Sequence, residues 1–240
     1  MIEIRFEERE KIGLQYILES LHGCSPFGQE RIRRLRYYTP DQRQELELEL
    51  HNVERAAAHA EELKDLYDQI CVVLCQMKDI RGSLRRCREL EVPDHVELFE
   101  LKGYLQRLET LRPMFERLRD TAGLTGLEFH DPAPALAIRA ALAPLADDLM
   151  ADADTAGRLD FLIQKALFAH RYGGVRPEIT DTALELTDMI NPELCDLLRE
   201  QGRSFVPVSI SLDRGAAVIT GANMGGKSVA MKTVALNVLL

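Results

Sequence analysis

The chain has 240 residues, of which 30 are basic and 39 acidic, for a net charge of −9. With 46 % hydrophobic residues it holds enough apolar side chains for one or two domains with a real core. The acidic balance argues against a small protein whose whole surface is a nucleic-acid glove. No apolar run approaches the ~18–20 residues that span a bilayer, and the N-terminal MIEIRFEEREK lacks the apolar stretch of a signal peptide, so a cytoplasmic location is expected.

The first 200 residues read mostly as helix. Residues 5–21 place Ile12, Tyr16 and Leu21 among charges, with Gly23 as the stop. Ser25-Pro26 has the form of an N-cap followed by proline at the first helical position, opening a helix to about Leu35. Thr39-Pro40-Asp41-Gln42 repeats that start signal and adds the glutamine of a capping box. From Leu46 through Leu50, Val53, Ala57, Ala60, Leu63, Tyr67, Ile70 and Leu74 to Met77, apolar residues recur by threes and fours. That stripe predicts one helix over 41–78, a rod of roughly 57 Å, whose apolar face needs partners along its whole length.

Further helices are predicted near 80–90, 95–119, 134–149 and 155–171, with Pro113 a kink or break in the second of these. Asp131-Pro132-Ala133-Pro134 reads as a turn or linker, and Gly173-Gly174 ends the last helix. Two basic clusters fall in these helices, Arg31, Arg33, Arg34 and Arg36, then Arg81, Arg85, Arg86 and Arg88. Acidic neighbours make each a solvated, salt-bridged face, without excluding a local basic surface. Five cysteines form no C-x-x-C pair. Cys71 and Cys75 lie one helical turn apart and are expected as buried core thiols, and the scattered histidines predict no structural zinc.

The composition changes after Gly202. Phe205 to Leu212 alternates as a strand does, Asp213-Arg214-Gly215 supplies a turn, and Ala216 to Thr220 is a short apolar run of the kind buried on both faces of a sheet. Gly221-Ala222-Asn223-Met224-Gly225-Gly226-Lys227-Ser228 follows at once and fits G-x-x-x-x-G-K-[ST] at every required position. Met224 to Leu240 then reads as a helix, with Val229, Val234, Leu236 and Val238 among its apolar positions. Strand, glycine-rich loop and helix come in the order a triphosphate cradle requires. Glycines clear the tight points so that backbone N–H groups can face the phosphates, and the following helix brings its positive end to the anion. Lys227 adds a full charge for the β- and γ-phosphates, and Ser228 offers a hydroxyl oxygen to Mg²⁺.

The segment VITGANMGGKSVAMKTVALNVLL resembles the nucleotide-binding segment of the MutS proteins, whose usual pattern is ITGPNMxGKST. Phe205-Val206-Pro207 looks like the family segment that enters the ATPase domain beside the adenine, and Leu159 to Ile179 looks like the helix leading into Y-x-R-P-E. Ser25-Pro26-Phe27-Gly28 and the leucine-patterned helices after it look like the start of the helical core, or lever, of the MutS2 branch. The resemblance implies a mainly α chain. A long-helix core or lever domain over 1–175 would precede the first strands and P-loop helix of an incomplete α/β ATPase domain of the ABC type over 176–240. It implies ATP and Mg²⁺ as cofactors, held by Gly221 through Val229, with Asn223 next to the γ-phosphate and Asn223 and Lys227 as the catalytic groups. Phe205 is the candidate for stacking on the base, the alternative being a strand-edge core aromatic.

Ala222 stands where the family usually has proline, and nothing resembles its N-terminal mismatch-reading domain. The sequence ends about twelve residues after Ser228, before Walker B carboxylates, a signature loop or C-terminal dimer helices, so a fragment that hydrolyses ATP poorly by itself is expected. Three readings follow from the resemblance. One is an ATPase that couples nucleotide state to clamping double-stranded DNA as a homodimer in repair or recombination. Another is a clamp-less relative acting on a protein client such as a cobalamin-dependent aminomutase. The last is a fragment that binds nucleotide without turning it over.

Overall fold

The structure, a computed structural model, describes residues 4–35, 37–130, 142–181, 183–213, 217–221 and 226–240. It is mainly helical, and its contacts divide the chain into two units, one of residues 21–176 and one that joins 1–20 to 177–240.

The helical unit begins where the sequence places its first strong cap. Helix α3 (Pro26–Arg33) is preceded by the two short helices of the other unit and starts at Ser25, whose hydroxyl accepts from Gly28 N–H at 3.0 Å. The same hydroxyl donates to Asp160 Oδ2 at 2.7 Å, and the carboxylate also accepts from the N–H groups of Cys24 and Ser25. Burial raises the pKa of Asp160, while these donors act in the opposite sense. Gly28 is needed here because a Cβ would stand 2.1 Å from Asp160 Oδ2. Gly157 is needed in turn, since its Cβ would stand 2.9 Å from that of Phe27. Two glycines therefore let α3 and α8 (Leu142–Tyr172) approach closely, and Phe27 enters the core with its ring edge-on to Tyr104.

A 3₁₀ turn over Pro40–Gln42 carries the predicted reciprocal cap, with Thr39 N–H donating to Gln42 Oε1 at 3.2 Å. The single rod expected over 41–78 is not formed. It is two helices, α4 (Arg43–Ala58) and α5 (Lys64–Cys75), joined by turns. At the break Ala60 N–H bonds to Ala57 O rather than reaching back four residues, and the Tyr67 hydroxyl donates to Ala56 O at 2.7 Å. Buried Tyr67 thus satisfies the carbonyl that the interrupted ladder leaves over. The apolar stripe runs on through the break, with Ala56, Ala60, Leu63, Tyr67, Ile70, Leu74 and Met77 all buried.

Helices α6 (Arg81–Arg88) and α7 (His95–Ala122) follow; α7 passes through Pro113 without ending and stops at Gly123 in the left-handed region. The fold holds α7 together there because Leu108, Leu111 and Phe115 on either side of the proline are buried. The helices expected over 134–149 and 155–171 are one helix from Leu142, capped where Gly174 N–H reaches Ala169 O at 2.7 Å. The turn at residues 131–134 lies outside the described residues. Helix α8 packs against α3, α4, α5 and α6, and its alanines at 146, 153, 156 and 166 are buried in that contact.

In the other unit, the helix expected over 5–21 is divided at Gly13 into α1 (Phe6–Ile12) and α2 (Leu14–Ser20). Gly13 has φ +87° and closes α1 through a bond to Glu10 O, so the chain turns ten residues before the predicted stop at Gly23. Tyr16 of α2 donates to Asp196 of α9 (Pro192–Glu200) at 2.6 Å. Strands β1 (Leu184–Met189) and β2 (Val208–Leu212) pair antiparallel, Leu184 opposite Leu212 and Met189 opposite Val208, with a bulge that puts Asp188 at φ +51°. The final helix, α10 (Lys227–Leu239), donates from Asn237 to Ile190 O at 2.9 Å.

Candidate nucleotide site

The glycine-rich motif leads directly into α10. Gly226, at φ +77°, is its N-cap, and no side chain caps the helix. The first helical hydrogen bond runs from Ala230 N–H to Gly226 O, so the N–H groups of Lys227, Ser228 and Val229 point out of the helix end. Lys227 Nζ reaches back across the loop and donates to Gly221 O at 2.6 Å. Ser228 and Val229 are exposed in the first turn, and Thr233 and Leu236 form the buried side of the helix. Ala222, Asn223, Met224 and Gly225 lie outside the described residues, as do Arg214 and Gly215 of the predicted turn.

Two expectations around this loop change. Residues 217–220 do not form a strand buried on both faces; Val218 is 84 % exposed and Ile219 42 %. Burial of such a run requires strands on either side of it, and among the described residues the sheet consists of β1 and β2 alone. The alternation from Phe205 begins as a strand only at Val208, and Phe205 sits half-buried ahead of it.

The basic clusters are largely paired. Arg31 bonds to Asp154, Arg34 to Glu30, Arg81 to Glu30 and Asp79, Arg86 to Glu97 and Arg88 to Asp147. Cys71 and Cys75 are not buried core thiols; Cys71 is half-buried against the edge of the core and Cys75 is exposed. Among the described residues no three His, Cys, Asp or Glu side chains are arranged to hold a metal ion, and no helix is long and apolar enough to cross a membrane.

A polar cluster that the sequence does not announce lies beside a cavity of about 300 Å³ lined by Arg112, Phe115, Phe129 and His130. Asp152, buried on α8, accepts from Arg112 at 3.1 Å and lies 2.9 Å from His130 Nδ1. The carboxylate raises the pKa of His130. Three residues from three parts of the chain meet here, and no local spacing links them.

Comparison with known proteins finds relatives of part of the chain. A DNA mismatch repair protein MutS of Leptospira interrogans is 35 % identical over 96 residues, covering 38 % of this chain and 11 % of its own. Another from Syntrophomonas wolfei is 38 % identical over 145 residues, covering 59 % of this chain and 15 % of its own. An endonuclease MutS2 of Exiguobacterium sibiricum is 31 % identical over 102 residues, covering 41 % and 12 %. Over these segments the chain is similar to proteins of the MutS family. The matched segments span between 11 % and 15 % of these relatives' own lengths. No family model and no solved structure matches.

Proposed function

We propose that residues 221–229 bind the phosphates of ATP together with Mg²⁺. In the complete protein, this site would couple ATP binding and hydrolysis to the holding of double-stranded DNA by a homodimer, in repair or recombination. The reading rests on Lys227: a single ammonium that crosses the loop to Gly221 O at the uncapped start of a 13-residue helix. An anion placed there meets outward-pointing N–H groups and the positive end of the helix.

The groups present suit such a ligand. Lys227 would exchange the Gly221 carbonyl for phosphate oxygens, and the exposed Ser228 hydroxyl is a hard oxygen donor of the kind Mg²⁺ prefers. Asn223 is assigned to the γ-phosphate side and Phe205 to the base by family resemblance. Bound ATP supplies the phosphoanhydride bond whose cleavage does the work. In this reading the helical residues up to 175 are the core or lever, and 176–240 begin an α/β ATPase domain. Names among the relatives support a repair role, two being mismatch repair proteins and one an endonuclease.

The test is titration of the 240-residue chain with a fluorescent ATP analogue and Mg²⁺. Saturable binding is expected, weakened about 30-fold by Lys227→Ala, the equivalent of one lost charge-assisted contact of ~2 kcal/mol. Equal binding by the variant overturns the assignment.

A second reading, with a protein as client, draws on the ion-paired arginines of α3 and α6, which leave little uncompensated positive charge for phosphate backbones. DNA titrations of the full-length protein across salt concentrations separate the two. Binding that is tight at low salt and falls steeply with salt supports the first; no binding at low salt supports the second.

A further inference from the structure

Three of the five cysteines converge, although only two of them are neighbours in sequence. Cys24 lies in the segment before α3, and Cys71 and Cys75 lie on consecutive turns of α5. Gln164 of α8 donates from Nε2 to both Cys24 Sγ, at 3.7 Å, and Cys71 Sγ, at 3.8 Å. The thiols of Cys71 and Cys75 both lie close enough to Cys24 to influence its ionisation. All three are free, and Cys75 is open to solvent.

We propose that Cys24, Cys71 and Cys75 form a thiol–disulfide exchange site, in which Cys24 pairs with either helix cysteine and so staples the start of α3 to α5. The geometry restricts the pairing. Residues four apart on a helix hold their Cβ atoms about 5–6 Å apart and parallel, too far for the ~3.8 Å of a disulfide. Cys71 and Cys75 therefore do not bond to each other, and each crosslink must include Cys24. Because the two are offered from successive turns on the same side, losing one leaves the other in place.

The oxidant is a low-molecular-weight disulfide. The thiolate of exposed Cys75 attacks it, forming a mixed disulfide and releasing one small thiol. The thiolate of Cys24 then attacks Cys75 Sγ and expels the second. Two protein thiols and one small disulfide become one protein disulfide and two small thiols, so protons and electrons balance. Cys71 can take the Cys75 role or displace it afterwards. The adjacent Cys71 thiol, burial and nearby Asp160 all raise the pKa of the Cys24 thiol, and burial and Cys24 raise that of Cys75. Thiolates are accordingly scarce at neutral pH, and exchange is best followed at about pH 8.5.

The experiment treats the 240-residue chain with oxidised glutathione, blocks remaining thiols by alkylation, and maps disulfides by mass spectrometry without reduction. The expected product is an intramolecular link between the Cys24 peptide and the peptide carrying both Cys71 and Cys75, with Cys87 and Cys195 still alkylated. Cys75→Ser should move the link to Cys71, and Cys71→Ser should move it to Cys75. Cys24→Ser should give only a glutathione adduct. Should Cys24→Ser fail to fold, the double variant with Cys71→Ser and Cys75→Ser must show the same loss of the crosslink. Wild-type protein carrying only glutathione adducts, a dimer linked through Cys75, or a link that includes Cys87 or Cys195 overturns the proposal.

Discussion

His130 shows how a side chain with no motif around it acquires a role in stability. Its ring faces Asp152 and, at 3.8 Å, Asp148 from α8, with the Arg112 guanidinium of α7 on the same carboxylate. The hydrogen bond to Asp152 raises the folded-state pKa above the unfolded value near 6.5. A raised pKa means that the folded state holds the proton more tightly. The stabilisation is thus complete below about pH 6.5 and is lost as pH rises through the folded value. The ring is 47 % exposed, so solvent screens the pair and the effect is modest. Urea midpoints measured from about pH 6 to pH 8.5 should decline for the wild-type chain, and His130→Gln should flatten that decline. An unchanged slope in the variant would remove His130 as its source. Nothing in the sequence flags this residue, since its partners stand 18 and 22 positions away in the chain.

At the scale of elements, local signals were legible and long-range ones were not. The Ser25 cap, the Thr39–Gln42 box and the Gly173-Gly174 stop depend on a few consecutive residues, and the chain uses all three. The break between α4 and α5 is invisible to periodicity, because the apolar stripe keeps its phase through the turn. What fixes the break is a hydroxyl from eleven residues further on, bonded to Ala56 O. Tyr67→Phe should therefore cost about 1 kcal/mol in chemical denaturation, the worth of one buried hydrogen bond with its acceptor left bare. A loss near zero would mean that the turn is held by packing alone. The run 217–220 fails for the complementary reason. Its residue types suit a central strand, but a central position is conferred by neighbours, and sequence spacing says nothing of them. The glycine-rich motif is the opposite case: the site proposed for it is written in consecutive residues, and the proposal needs none of its surroundings.

The molecule as a whole carries its apolar core unevenly. The connected core belongs to the helical unit, from Phe27 through Tyr104 and Leu118 to Ala166. The other unit buries little beyond Leu14, Ile17, Met189 and Leu236, and leaves Val206, Val218, Met231 and Val238 exposed. Residues 21–176 expressed alone should thus give a helical circular dichroism spectrum and one cooperative unfolding transition. A broad, non-cooperative melt would show that this core depends on residues outside the unit. The mainly helical character and the likeness to MutS proteins were both legible in the sequence. The assignment of residues 1–20 to the same unit as 177–240 was not, because it rests on contacts such as Tyr16 with Asp196.

The contact of Asp160 with the start of α3 also bears on how such chains can be recognised. Ser25-Pro26-Phe27-Gly28 and Gly157-Arg158-Leu159-Asp160 are unremarkable strings when read separately. In space each supplies what the other lacks: a carboxylate for the N–H and hydroxyl of Ser25, a missing side chain at Gly28 for that carboxylate, and another at Gly157 for the Cβ and backbone of Phe27. Neither string can change alone without a collision or a bare buried charge. They behave as a two-part signature, S-P-F-G followed far downstream by G-x-x-D. In an alignment of related chains the two halves should be kept or lost together, even where the helices between them have drifted beyond recognition.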